Sequence, residues 1–152
     1  MKITLQILFE DPNEEILTFL KEQWKSANLL HFGRDISDEF QPLNIIAFTE
    51  STPQKIAGVA RCIIMGNTLR VSQLLVREEY RKTQGVGSLI LKRLEKLAHE
   101  NKWHKIRLST IHQNLNFYLK NGYSIEATLA NDAFNSTWYI LSKFIIQSQK
   151  KS

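Results

Sequence analysis

"YRKTQGVGSLILKRLEKLA", residues 80–98, sets two glycines one residue apart between a basic cluster and a run of apolar residues at helical spacing. Glycine inside a helix costs about 1 kcal/mol relative to alanine, so a pair of them at a helix start points to something that must come close to the backbone. From Gly85 to Asn101, the residues Val86, Leu89, Ile90, Leu94, Leu97 and Ala98 fall on one face and Lys92, Arg93, Glu95, Lys96 and Glu100 on the other. That spacing predicts an amphipathic helix of about four turns. The first turn of such a helix exposes unpaired N–H groups and carries roughly half a positive charge, which suits a phosphate. With Arg81 and Lys82 before the glycines and Ser88 after them, the loop reads as a pyrophosphate cradle; close helix-to-sheet packing is the other use that Gly85 and Gly87 could have.

Two well-known phosphate loops fail here. A Walker loop needs Lys and then Ser or Thr after its last glycine, whereas Gly87 is followed by Ser88 and Leu89. A dinucleotide fingerprint needs a small residue where Ile90 stands and belongs at the first turn of an alternating βα chain. Here three strands come first: 43–50, 54–65 and 69–76, joined by short turns and so read as an antiparallel meander. The helix then crosses to a strand at 104–110, which makes a parallel βαβ unit inside a mixed sheet. A short helix closed by Gly122 and a final hairpin, 123–130 with 136–146, complete the core. At the other end, the alternation of "ITLQILF" predicts a first strand at 2–8. The segment 11–30 predicts a helix with an Asp11 cap and Pro12 at its first position, and Pro42 is expected to end a short turn or loop before the meander.

The 152 residues, 43% of them hydrophobic, suffice for one core. We expect a single α+β domain over 1–147 with a loose tail at 148–152. Apolar runs far shorter than the roughly 20 residues of a membrane span, and an N-terminus that turns acidic where a cleavage site would stand, lead to a cytoplasmic protein without a membrane partner. Cys62 is the only cysteine, which fits a reducing compartment; on a mid-sheet strand it reads as a small buried hydrophobe. His31, His99, His104 and His112 are scattered without ligand spacing, so no metal is expected. Between Arg77 and Arg107 nine Lys or Arg face four Glu, a balance of +5, whereas Glu10 to Glu39 holds eight acids and three bases, a balance of −5. A net +5 without a basic surface rich in aromatics argues against nucleic acid.

The stretch "LLVREEYRKTQGVGS" resembles the phosphate loop of the GNAT N-acetyltransferase superfamily, with Val76, Tyr80, Arg81, Gly85 and Gly87 in place. The later "STIHQNLNFYLKNGYSIEATL" and "TWYILSKF" are similar to a bacterial branch of it, matching at Ser109, Gln113, Phe117, Tyr118, Lys120, Gly122, Tyr123 and Lys143. Between Arg81 and Gly85 lie three residues where the family usually has two, so both Arg81 and Lys82 are candidates for the pyrophosphate; Asn114 replaces the usual Ala after Gln113.

The resemblance implies the acyl-CoA N-acyltransferase fold: a mixed, mostly antiparallel sheet with a central parallel βαβ crossover and helices on both faces. It implies acetyl-CoA as co-substrate, its pyrophosphate on Thr83, Gln84, Gly85, Val86, Gly87 and Ser88 and its pantetheine arm along the backbone of Leu75 and Val76, with Gln113 nearby. An amide near Leu75 would stabilise the oxyanion. Tyr118 would protonate the departing thiolate, and Glu79 is the leading base for the amine. The acceptor would be a small-molecule or peptide amine. The acidic first segment suggests that it is cationic, with Asp35, Asp38 and Glu39 as its contacts. A regulatory module that holds acyl-CoA without turnover is the alternative, and a homodimer through the last strands is compatible with either.

Overall fold

The computed structural model describes residues 1–82 and 85–145. Thr83, Gln84 and the expected tail at 148–152 lie outside the described residues. The backbone gathers into two compact units, Met1–Glu39 and the chain from Phe40 onward.

The first unit holds one helix, α1 (Glu14–Phe32). Its start corrects the sequence expectation: the cap is Asn13, whose side chain accepts from the Ile16 amide at 3.0 Å, so Asp11 and Pro12 precede the helix. Glu14 and Glu15 occupy the first turn, and Gly33 closes the helix in a left-handed conformation (φ 71°). The expected strand at 2–8 does not form. Alternation favours an extended chain only where a neighbouring strand completes the ladder, and these residues have none among the described residues.

The second unit carries a six-stranded mixed sheet, β1 (Phe40–Phe48), β2 (Ile56–Met65), β3 (Thr68–Val76), β4 (Lys105–Ile111), β5 (Ser124–Asp132) and β6 (Ser136–Phe144). The spatial order is β1-β2-β3-β4-β6-β5. Pro42 lies inside β1 instead of ending the segment before it; β1 is an edge strand, where a residue without an N–H breaks no ladder. The meander is antiparallel, β3 and β4 are parallel, and β6 inserts between β4 and β5.

Helix α2 (Val86–Glu100) makes the crossover from β3 to β4, and α3 (His112–Lys120) follows β4 directly. Both pack on one face of the sheet. The buried Ile90, Leu91 and Leu94 of α2 meet Ala60, Cys62, Leu69, Val71, Ile106, Leu108 and Leu141 from the strands, with Tyr118 and Tyr123 closing the core at α3. Each large aliphatic side chain in this layer contributes about 1.5–3 kcal/mol by leaving water. Gly58 on β2 lets α2 settle: a Cβ there would stand 3.0 Å from Val86 Cγ1 and 3.1 Å from the Leu75 carbonyl oxygen.

Candidate functional site

The parallel ladder between β3 and β4 is short. It runs from Thr68 opposite Lys105 to Val71 opposite Leu108 and then stops, although β3 continues to Val76 and β4 to Ile111. The cause is local: Val71 pairs with Cys62 and Gln73 with Arg61, so Ser72 is an extra residue bulged out of β3. Past Ser72 the two central strands part, leaving a fork in the middle of the sheet.

The main chain on the β3 side of this fork follows from the hydrogen-bond alternation. The Arg77 amide donates to the Ala57 carbonyl at 2.8 Å, and Val76 stands opposite Gly58. Val76 is therefore a non-hydrogen-bonded partner of Gly58, and Leu75 exchanges its bonds with Val59. The backbone of Leu75, the residue expected along the pantetheine arm, thus turns to β2. Leu74 and Val76 are the residues whose N–H and C=O face the fork. The Val76 carbonyl accepts from Arg81 Nε at 2.8 Å, so the loop after β3 is tied back to the strand end.

Helix α2 opens beside that loop. Its N-cap is Gly85, in a left-handed conformation (φ 61°) with open space where a Cβ would stand, and among the described residues no side chain caps the helix. The Gly85 carbonyl accepts from the Leu89 amide at 2.9 Å, so the N–H groups of Val86, Gly87 and Ser88 precede the first intrahelical bond. The two glycines serve different ends. Gly85 supplies a backbone angle, whereas Gly87 is buried, with Phe117 Cζ 2.8 Å from where its Cβ would be. The packing use of the pair thus holds for Gly87, and the first turn of α2 rests on α3. Of the two candidate cations, Arg81 is held by Val76, while exposed Lys82 makes no side-chain hydrogen bond or ion pair among the described residues.

Phe117 brings Tyr118 to the same corner, their rings 5.0 Å apart edge to face. Tyr118 is buried, and burial raises its phenol above the ordinary value, so it holds its proton at neutral pH. Lys143 fixes the end of α3: its Nζ donates to the Asn121 carbonyl at 3.0 Å and pairs with Glu95 of α2. Gly122 (φ 86°) leaves room for that ammonium, which would lie 3.0 Å from a Cβ. Gln113 is exposed in the first turn of α3. Glu79 is exposed on a short turn, Glu78–Tyr80; the Tyr80 phenol is raised by burial and by a hydrogen bond to Glu79.

Two of the three acids expected to meet the acceptor are engaged within their own segment. Asp35 accepts from Asn28 Nδ2 at 2.9 Å and from the Ser37 hydroxyl and amide at 2.6 and 3.0 Å, which draws its carboxyl down to about 2. Glu39 takes a two-pronged pair from Arg34 at 2.7 and 3.0 Å. Asp38 alone is exposed and uncommitted among them.

Among the described residues no cluster of three His, Cys, Asp or Glu could hold a metal ion, and no helix is long and apolar enough to cross a membrane.

A crossover helix that opens beside a forked sheet is the arrangement that comparison with known proteins places. Residues 43–125 match the family model of the acetyltransferase (GNAT) domain, and the chain belongs to that family. It is 31% identical over 99 residues to a candidate acetyltransferase of Bacillus subtilis (strain 168), covering 60% of this chain and 65% of that protein's length. Among solved structures, an acetyltransferase from Bacillus cereus ATCC 14579 superposes with a TM-score of 0.73 at 20% identity, over 91% of this chain and 97% of that one. An aminoglycoside 6'-N-acetyltransferase complexed with coenzyme A gives 0.62 at 18% identity, over 92% and 98%. At these identities the structural matches establish the fold.

Proposed function

We propose that this protein transfers the acetyl group of acetyl-CoA to a primary amine. The observation that carries the proposal is the fork: Leu74 and Val76 present main-chain groups to a gap between parallel strands, and the bare first turn of α2 opens beside it. A pantetheine arm has the amides to pair there as an added strand, and its pyrophosphate would lie on the N–H groups of Val86, Gly87 and Ser88 with Lys82 beside it. Thr83, Gln84 and Gln113 complete the binding set that the family resemblance suggests. Arg81 serves by holding the loop against Val76.

Bound acetyl-CoA supplies a thioester carbonyl that a neutral amine can attack. The chain's part is to orient, to stabilise charge and to move protons. The Leu74 N–H, facing the fork, takes over the oxyanion role first expected near Leu75. Tyr118 holds a proton for the departing thiolate as the C–N bond forms and the C–S bond breaks. The amine must lose a proton, since an alkylammonium with a pKa near 10 is mostly charged at pH 7. Glu79 is the carboxylate on the turn that follows β3 and stays our candidate to receive that proton.

Thermal-shift titration with CoA, followed by thiol release over a panel of amines, tests the assignment. We expect stabilisation by CoA at micromolar to millimolar concentrations and amine-dependent thiol release. No shift and no release would overturn it.

A further inference from the structure

The face of the sheet opposite α2 and α3 carries a cavity at the base of the fork, lined by Arg70, Ser72, Arg107, Ser109, Trp138 and Ile140. Two strands distant in sequence build it with one pattern. "LRVS" at 69–72 and "IRLS" at 106–109 lie in parallel register, so that Leu69 meets Ile106, Arg70 meets Arg107 and Val71 meets Leu108. The aliphatic residues point into the core, the arginines stand side by side on the other face, and the two serines follow at the mouth of the fork.

Like charges on neighbouring strands repel, and proteins usually separate them or answer them with acids. Neither guanidinium makes a hydrogen bond or ion pair among the described residues. One acid on this face, Glu126, pairs with Lys105, and Arg107 adds only a weak pull on it. Arg61, also on this face, reaches Gln73 at 3.5 Å. Two half-buried arginines without a bound carboxylate, beside two hydroxyls and against the apolar wall of Trp138 and Ile140, form a receptor for anionic oxygens.

We infer that the acceptor is an amine carrying an anionic group, a carboxylate or a phosphate, which Arg70 and Arg107 hold while the amine reaches up the fork. The inference rests on the acetyl transfer proposed above and replaces the cationic acceptor expected from the acidic first segment. Leu74 stands four positions after Arg70, at most about 13 Å of strand, so amine and anion should be several bonds apart.

The test compares glycine, β-alanine, γ-aminobutyrate and phosphoethanolamine with ethanolamine and putrescine, using thiol release and calorimetric binding in the presence of CoA. The enzymes are the wild type, the Arg70→Gln/Arg107→Gln double variant and the charge-preserving Arg70→Lys/Arg107→Lys variant. We expect γ-aminobutyrate and phosphoethanolamine to be preferred and glycine, whose amine and carboxylate stand too close together to span the gap, to gain least, with carboxylate and phosphate arms showing which oxyanion fits better. The Gln variant should raise their KM and Kd about tenfold to a hundredfold. It should leave the CoA-induced thermal shift and the KM of ethanolamine in place, and the Lys variant should recover part of the loss. Preference for putrescine or ethanolamine, or unchanged KM and Kd in the Gln variant while CoA still stabilises it, overturns the inference and leaves acetyl transfer standing. Absence of both the CoA shift and all turnover in the wild type would remove the transferase assignment, and the inference with it.

Discussion

Gly87 and Phe117 meet so closely that a methyl group on Gly87 would stand 2.8 Å from the Phe117 ring. The first turn of α2 is thereby locked to α3 through the absence of a side chain. We expect Gly87→Ala to destabilise the protein by about 1–3 kcal/mol, as overpacked cores do, and to lower Tm by several degrees. Adding Phe117→Leu should return part of the loss in a denaturation experiment; an unshifted Tm in the single variant would contradict the contact.

Gly85 allows a cleaner test of the phosphate cradle, because space there is open and only the backbone angle constrains it. Asn tolerates a left-handed conformation, so Gly85→Asn should fold with a loss of about 1 kcal/mol or less. Its side chain would stand where the diphosphate is expected, and CoA affinity should fall at least about tenfold, a loss of about 1.4 kcal/mol of binding. Unchanged affinity by thermal shift or calorimetry would argue that the diphosphate lies elsewhere.

For Tyr118, proton delivery and packing are separable. Tyr118→Phe keeps the ring and should lower kcat by about a hundredfold or more, with little change in the KM for acetyl-CoA. Because burial raises the phenol, its protonated form persists beyond pH 10, and the wild-type rate should fall only on the alkaline side of that value. The Phe variant should lack this limb of the pH profile.

Asp35 is a structural acid whose folded-state carboxyl lies near 2, below its ordinary 3.8. A depressed pKa stabilises the folded form above the unfolded value, and that contribution is lost as pH falls from about 4 through about 2. The side-chain amide resonances of Asn28, which donates to Asp35 at 2.9 Å, should titrate with a midpoint near 2. A midpoint at 3.8 would mean the carboxylate is free.

Cys62 is 3% exposed, and burial pushes its thiol up to about 11. Reaction with a thiol reagent at pH 8 should be slow in the native protein and fast after denaturation. Rapid native labelling would place the residue outside the core.

The meander, the crossover helix and the final hairpin were legible because their apolar residues repeat at the period of the element they form. Residues 2–8 misled for the same reason: alternation reports what a segment can do beside a partner, and no letter announces whether one is there. The fork was hidden because Ser72 carries no mark of a bulge; its extra place appears only when Val71 and Gln73 are set against Cys62 and Arg61. Gly58 did leave a signal, a glycine inside a strand that also carries Ile56, Val59, Ile63 and Ile64, which commonly marks a close approach. The two arginines of the cavity became a pair only once topology laid "LRVS" beside "IRLS".

The Arg81 contact with Val76 also bears on how the unpaired edge of the fork meets other chains. A sheet that splits in its middle has an internal rim of vacant peptide groups, the kind of surface on which a stranger's chain can zip and seed aggregates. Because Arg81 covers the last carbonyl of that rim with a guanidinium, an intruding strand finds one acceptor fewer to pair with.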